Sequence, residues 1–214
     1  MLQLGLAALA PLLLASCLLA PGKFASTLTI NADRSFAFTY KGEVIDAEPD
    51  NTAAEASPKP GEDVEAKRRA IAEALRKEVG YRSVAYLGKG KFAIDYAISG
   101  TLDHNFSYPL NSDAEIILPF IMVELRQGNL VRVRAPGYSA NQTGVKPSGG
   151  MPEMPGGEDA GKYLDGTFTL DTDAEVVSQN SEEGVKPTGA RRTIVWRATP
   201  LTKDAPAAVL RLSR

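Results

Sequence analysis

Apolar and polar residues alternate along most of the chain beyond residue 24, and a period of two predicts strands. "FASTLTINADRSFAFTY" alternates on both sides of a polar break. Phe24, Leu28 and Ile30 share one face, and Phe36, Phe38 and Tyr40 share one on the return. "NADRS" is then the loop of a β-hairpin with one buried side. "YRSVAYLGKGKFAIDYAISG" predicts a second hairpin. Val84 and Tyr86 alternate, "GKG" turns the chain, and Phe92, Ile94, Tyr96 and Ile98 alternate again. "AEIILPFIMVELRQGNLVRVRA" predicts a third pair, with Val131 and Val133 on one face and Arg132 and Arg134 on the other. Pro119 interrupts the apolar run and cannot donate to a ladder, so that strand is expected at a sheet edge or bulged. Strands resume at "GTFTLDTDAEVV", "RRTIVWRA" and "AAVLRL".

The period changes once. From Asp63 to Val79 the apolar residues Val64, Ile71, Leu75 and Val79 fall seven, four and four apart, a helical stripe that Gly80 ends. Two stretches carry no period. "DAEPDNTAAEASPKPGED" reads as an exposed loop. In the segment from Pro136 to Lys162 Gly and Pro supply over a third of the residues, and no apolar pattern offsets the entropy of ordering it. It is expected to be a flexible excursion. The sum is one helix, about nine strands and two long loops. The expected fold class is α+β: an antiparallel β-sheet built of hairpins with one main helix packed on one face, in a single domain over residues 24–214.

Composition narrows the function classes. The chain has 214 residues, enough for a proper core, and a formal charge of −2. Nucleic acid is an unsuitable partner, because neutralising phosphate needs a clustered basic surface. The densest basic group, Lys67 to Arg69, lies in the predicted helix among acidic neighbours. One cysteine excludes an internal disulfide, and one histidine removes most metal-site and His-based catalytic arrangements.

No residue from Met1 to Ala20 is charged, and Leu and Ala dominate. A cleaved signal, a transmembrane anchor and a buried helix compete for this segment. Pro11 weighs against the buried helix, and about 20 apolar residues just suffice to span a bilayer. The small residues before Cys17 are similar to the end of a secretory signal. Leu14-Ala15-Ser16-Cys17 resembles the bacterial lipobox, although no Lys or Arg precedes it. The resemblance implies a diacylglyceryl group on the Cys17 thiol and cleavage between Ser16 and Cys17. The new amino terminus would then be acylated by a fatty acid such as palmitate. Residues 1–16 would be the signal peptide and 17–23 a lipidated tether. Leu18 is not the Asp that tends to retain lipoproteins in the inner membrane. The resemblance therefore implies the periplasmic leaflet of the outer membrane.

The candidates for chemistry are few. His104 has Asp103, Ser99 and Ser107 near it in sequence, yet no strained G-x-S-x-G turn accompanies them. A lone loop histidine is the favoured reading. "DTDAE" puts Asp171, Asp173 and Glu175 on one face of a straight strand, a set suited to a hard cation, against which a solvated turn is the simpler alternative. The polar loop "NSEEGVKPTGARR" suits contact with a partner. Trp196 shares a strand face with Ile194, which favours core packing over a binding platform. "GKGKF" and "PSGGMPEMPGG" lack the helix and GK[ST] ending of phosphate loops. The closing block, with Gly189 in a turn and a late Trp196, is similar to that of LppM-type bacterial lipoprotein domains. That resemblance implies an α+β lipoprotein domain and no reaction. The expected function is a lipid-anchored periplasmic envelope lipoprotein without enzymatic activity, metal or cofactor. It would bind an envelope protein or a lipid. The alternative is a hydrolase whose site is assembled from dispersed carboxylates such as Asp95, Asp103 and Glu124.

Overall fold

Strand β1 (Leu19–Ile30) pairs with β2 (Ser35–Asp46) through Leu28↔Phe38 and Ile30↔Phe36, so the apolar alternation of both strands lands on one face. These strands belong to a computed structural model, which describes residues 19–46, 63–109, 119–140 and 161–213. A bulge between Pro21 and Phe24 brings the strands so close that a Cβ on Gly42 would lie 2.3 Å from the Lys23 carbonyl oxygen. Only glycine fits there. The second hairpin is β3 (Tyr81–Gly88) and β4 (Lys91–Thr101). Its turn holds Lys89 at φ +52 and Gly90 at φ +71, the two left-handed positions a two-residue hairpin loop requires.

The remaining strands are β5 (Phe106–Tyr108), β6 (Ile121–Arg126), β7 (Leu130–Arg134), β8 (Asp165–Thr172), β9 (Glu175–Gln179), β10 (Val185–Thr188), β11 (Arg191–Ala198) and β12 (Ala207–Arg211). They do not form the single sheet the alternation suggests. A seven-stranded sheet runs β10-β11-β8-β1-β2-β4-β3, and a five-stranded sheet runs β5-β6-β7-β12-β9. The pairing is antiparallel except between β1 and β8, which run parallel. A period of two tells which residues face inward, but not which sheet they face inward from.

The sheets close on each other over aromatic rings. Phe38 and Tyr40 of the larger sheet meet Tyr108 of the smaller at ring separations of 5.1 and 5.5 Å. One continuous core results, fed by both sheets. The Ser26 and Tyr138 hydroxyls are buried in it beside each other.

The helix α1 (Val64–Leu75) lies along β3, capped by the Asp63 carboxylate, which accepts from the Ala66 amide at 3.0 Å. It ends one turn earlier than its stripe implied. Arg76 Nε turns to donate to the Val84 carbonyl at 2.6 Å, and Val79 is 82% exposed. The buried positions are Arg68 and Ala72, with Ile71 and Leu75 beside them at the core margin.

Three other expectations change. Residues 19–22, assigned to a tether, are the buried or half-buried start of β1, because its first residues pair with the last of β2. Pro119 precedes β6 and does not interrupt it, and β6 is an interior strand between β5 and β7. The excursion assigned to 136–162 is anchored at both ends. Pro136 to Ser139 and Gly161 are buried, and the Tyr138 ring stacks on Phe24 at 4.3 Å. Its middle, 141–160, lies outside the described residues, as do 47–62.

Candidate functional site

A hollow of about 540 Å³ opens where the sheets part between β11 and the end of β9. Trp196 forms part of its floor. The indole is 8% exposed and stacks on Phe168 at 5.3 Å. Its Nε1 donates to Asn180 Oδ1 at 3.0 Å, and the same oxygen accepts from the Ala207 amide at 2.8 Å. Trp196 therefore combines core packing with a cleft-lining edge, where the sequence offered the two as alternatives. One wall is the segment Asn180–Glu183. The other is the turn Thr199–Thr202 and Lys203, with Leu201 86% exposed. Ser181 Oγ donates to the Val195 carbonyl at 2.6 Å and pins the first wall.

A second, shallower groove of about 340 Å³ crosses the outer face of the five-stranded sheet, lined by Arg132, Arg134, Gln179 and Val209. An apolar pocket between α1 and the sheets, lined by Leu19, Ile71, Leu75 and Phe92 among others, measures about 20 Å³. That is room for about one water and not for a lipid tail.

The sequence-predicted groups are not brought together. Asp95 lies between the inward Ile94 and Tyr96 on β4, so it faces out from the larger sheet. Glu124 faces out from the smaller sheet on the far side of the sandwich, bonded to Arg126 at 2.6 Å. Asp103 sits in the loop after β4, exposed, and its carboxylate contacts the His104 ring. Ser99 and Ser107 make no hydrogen bond to that ring among the described residues.

Asp171, Asp173 and Glu175 do not share a face, because the chain leaves the larger sheet at Thr172 and enters the smaller at Glu175. Asp171 holds Arg191 at 2.6 Å, Asp173 accepts from the Ala32 amide at 2.6 Å, and Glu175 lies 3.7 Å from Arg211. Among the described residues no cluster of three His, Cys, Asp or Glu could hold a metal. Ser16 and Cys17, the predicted cleavage and lipid-attachment residues, lie outside the described residues. Among the described residues no helix is long and apolar enough to cross a membrane.

Sequence reasoning missed a buried ion pair. Arg68, part of the basic group in the predicted helix, donates through Nε to Asp46 Oδ2 at 2.9 Å, with both side chains under a tenth exposed. The signal was present in outline, since Arg68 falls four residues before Ala72 and three before Ile71 on the buried stripe. Asn180, which joins Trp196 to β12, had no signal at all. Gly189 does occupy the β10–β11 turn, at φ +64.

No protein-family model matches the chain. A search of curated proteins returns no match. Among solved structures the chain is similar to the folded domain of LppM from Mycobacterium tuberculosis. That likeness has 16% identity over 92% of this chain and 93% of that one, with a TM-score of 0.40. It is also similar to the M1 zinc metallopeptidase from Deinococcus radiodurans, with 9% identity, 90% of this chain and 42% of that one covered, and a TM-score of 0.31. At these TM-scores neither likeness decides fold or function.

Proposed function

We propose that the protein is a lipid-anchored lipoprotein of the bacterial envelope whose folded part is a non-enzymatic module for binding an envelope protein. The observation that carries this is Leu14-Ala15-Ser16-Cys17, a lipobox-like run that ends two residues before β1 begins. A diacylglyceryl group on the Cys17 thiol, followed by cleavage between Ser16 and Cys17, would leave a lipidated amino terminus directly at the edge of the fold. Each buried methylene of the acyl chains then contributes about 0.8 kcal/mol to holding it at a membrane. Leu18 supports the periplasmic leaflet of the outer membrane as the address.

A protein partner is favoured over a lipid ligand by the hollows. The apolar pocket beside α1 holds about 20 Å³, whereas the open cleft at Trp196 holds about 540 Å³ and is lined mainly by polar residues. The outward, separated positions of Asp95, Asp103 and Glu124 give the hydrolase alternative no supporting arrangement. The test is Cys17→Ser in the full chain, followed by membrane fractionation. The substituted protein is expected to leave the acylated, membrane-bound form and to run as uncleaved precursor or free domain. Cleavage and membrane retention equal to the native chain would overturn the reading.

A further inference from the structure

We propose that the end of the sandwich from which β1 starts rests on the bilayer, with Leu87, Tyr163 and Leu201 entering the lipid interface. This rests on acylation of Cys17. Cys17 is two residues from Leu19, and a residue spans at most about 3.6 Å, so the anchored Cα lies within about 7 Å of the folded strand. No tether separates them. Whatever shares that end of the sheet with Leu19 therefore meets the membrane.

Strand register shows what does. β8 runs parallel to β1 and begins there, with Lys23 opposite Asp165. β11 ends there, with Ala198 opposite Gly166. β3 ends and β4 begins there, with Ile45 opposite Lys91 and Gly88 opposite Lys91. At these strand ends stand exposed apolar side chains. Leu87, next to the end of β3, is 55% exposed, Tyr163, two residues before β8, is 47% exposed, and Leu201, in the turn after β11, is 86% exposed. The Ala140 amide donates to the Thr202 carbonyl at 2.7 Å, and a Cβ on Gly161 would touch Ala140 at 2.9 Å. The Leu201 turn and the Tyr163 segment are therefore neighbours.

One exposed leucine is ordinary on any protein. Two leucines and a tyrosine on the rim beside the anchor, each with a lysine close by, are a pattern. Lys89 is at the tip of the β3–β4 turn, Lys162 Nζ lies 5.0 Å above the Tyr163 ring, and Lys203 follows Leu201 by two residues. From β11 to β3 is five steps in the strand order, a row about 24 Å wide at about 4.8 Å per strand. Separate points spread that far suit neither a small ligand nor a peptide in a groove. A flat bilayer meets all of them, with leucine and tyrosine at the acyl boundary and lysines at the headgroups.

The experiment uses the full acylated chain in vesicles of phosphatidylethanolamine and phosphatidylglycerol that contain a brominated lipid. Acylation occupies the only native cysteine, so a dye attaches solely at an introduced one. Leu87→Cys, Tyr163→Cys and Leu201→Cys are compared with Gln127→Cys at the opposite end, where Arg34 bonds Asn129 at 3.2 Å. Quenching is expected to be at least threefold stronger at the three rim positions than at residue 127. Adding Leu87→Ser and Leu201→Ser to the Tyr163→Cys chain is expected to reduce its quenching by half or more, with no dye at either leucine. Acylated protein with quenching equal at all four positions, or unmoved by the serines, overturns the seating alone. Loss of the acyl mass from the amino-terminal peptide overturns the lipoprotein reading and the seating with it.

Discussion

At the residue scale, the pair Arg68 and Asp46 joins three elements. Asp46 closes β2, and its amide donates to the Gly90 carbonyl of the β3–β4 turn at 2.8 Å, while Arg68 comes from the middle of α1. Tyr86 adds to the same joint, with its hydroxyl donating to Glu65 at 2.8 Å and accepting from the Gly90 amide at 3.0 Å. A buried pair adds little net stability over an apolar pair, but removing Asp46 takes away the buried carboxylate closest to Arg68 and leaves the half-exposed Glu65 at 3.5 Å. Asp46→Ala is expected to cost about 3–5 kcal/mol in chemical denaturation, and Glu73→Ala, at an exposed pair on the same helix, below about 1 kcal/mol. Equal, small losses would show the joint to be slack. Periodicity places Arg68 on the apolar stripe but does not disclose the pair, since the carboxylate partner lies 22 positions away.

At the element scale, the closing strands supply both layers. β8, β10 and β11 belong to the larger sheet, and β9 and β12 to the smaller. Inward alternation at Phe168 and Leu170, at Ile194 and Trp196, and at Leu210 was legible in the sequence because each strand has one wet face. Sheet membership was not, because the switch between sheets occurs over two residues, Asp173 and Ala174, that look like any turn. The parallel β1–β8 pair was invisible for a related reason. It joins segments far apart in sequence, and nothing in either strand's own pattern encodes its partner. Trp196→Ala is expected to cost about 3–5 kcal/mol, as the loss of a large buried ring does. For a domain of this size that lowers Tm by about 6–20 °C. Val177→Ser, on the exposed edge strand β9, is expected to shift Tm by less than about 2 °C.

At the scale of the whole molecule, the core depends on uncharged tyrosines. Burial raises the Tyr40, Tyr108 and Tyr138 hydroxyls above the ordinary range, and burial together with Tyr96 pushes Tyr81 up to about 12. Raised folded values mean that the stability these groups contribute is complete below about pH 10, where the unfolded chain is also protonated. It is lost as pH rises from there through the folded values. Each such tyrosine removes about 1.4 kcal/mol per pH unit in that window. Buried-tyrosine ionisation, read at 295 nm, is therefore expected to coincide with loss of near-ultraviolet circular dichroism above about pH 10. Ionisation of all seven tyrosines with the tertiary signal intact would contradict the packing described.

If the sandwich is held at a membrane through Cys17, the mass of the mature amino-terminal peptide will show it. Protein recovered from membranes and digested is predicted to begin at Cys17, with a diacylglyceryl thioether on the sulfur and an acyl chain on the new amine. Recovery of a peptide that still carries Met1, or of Cys17 with an unmodified thiol, would contradict it.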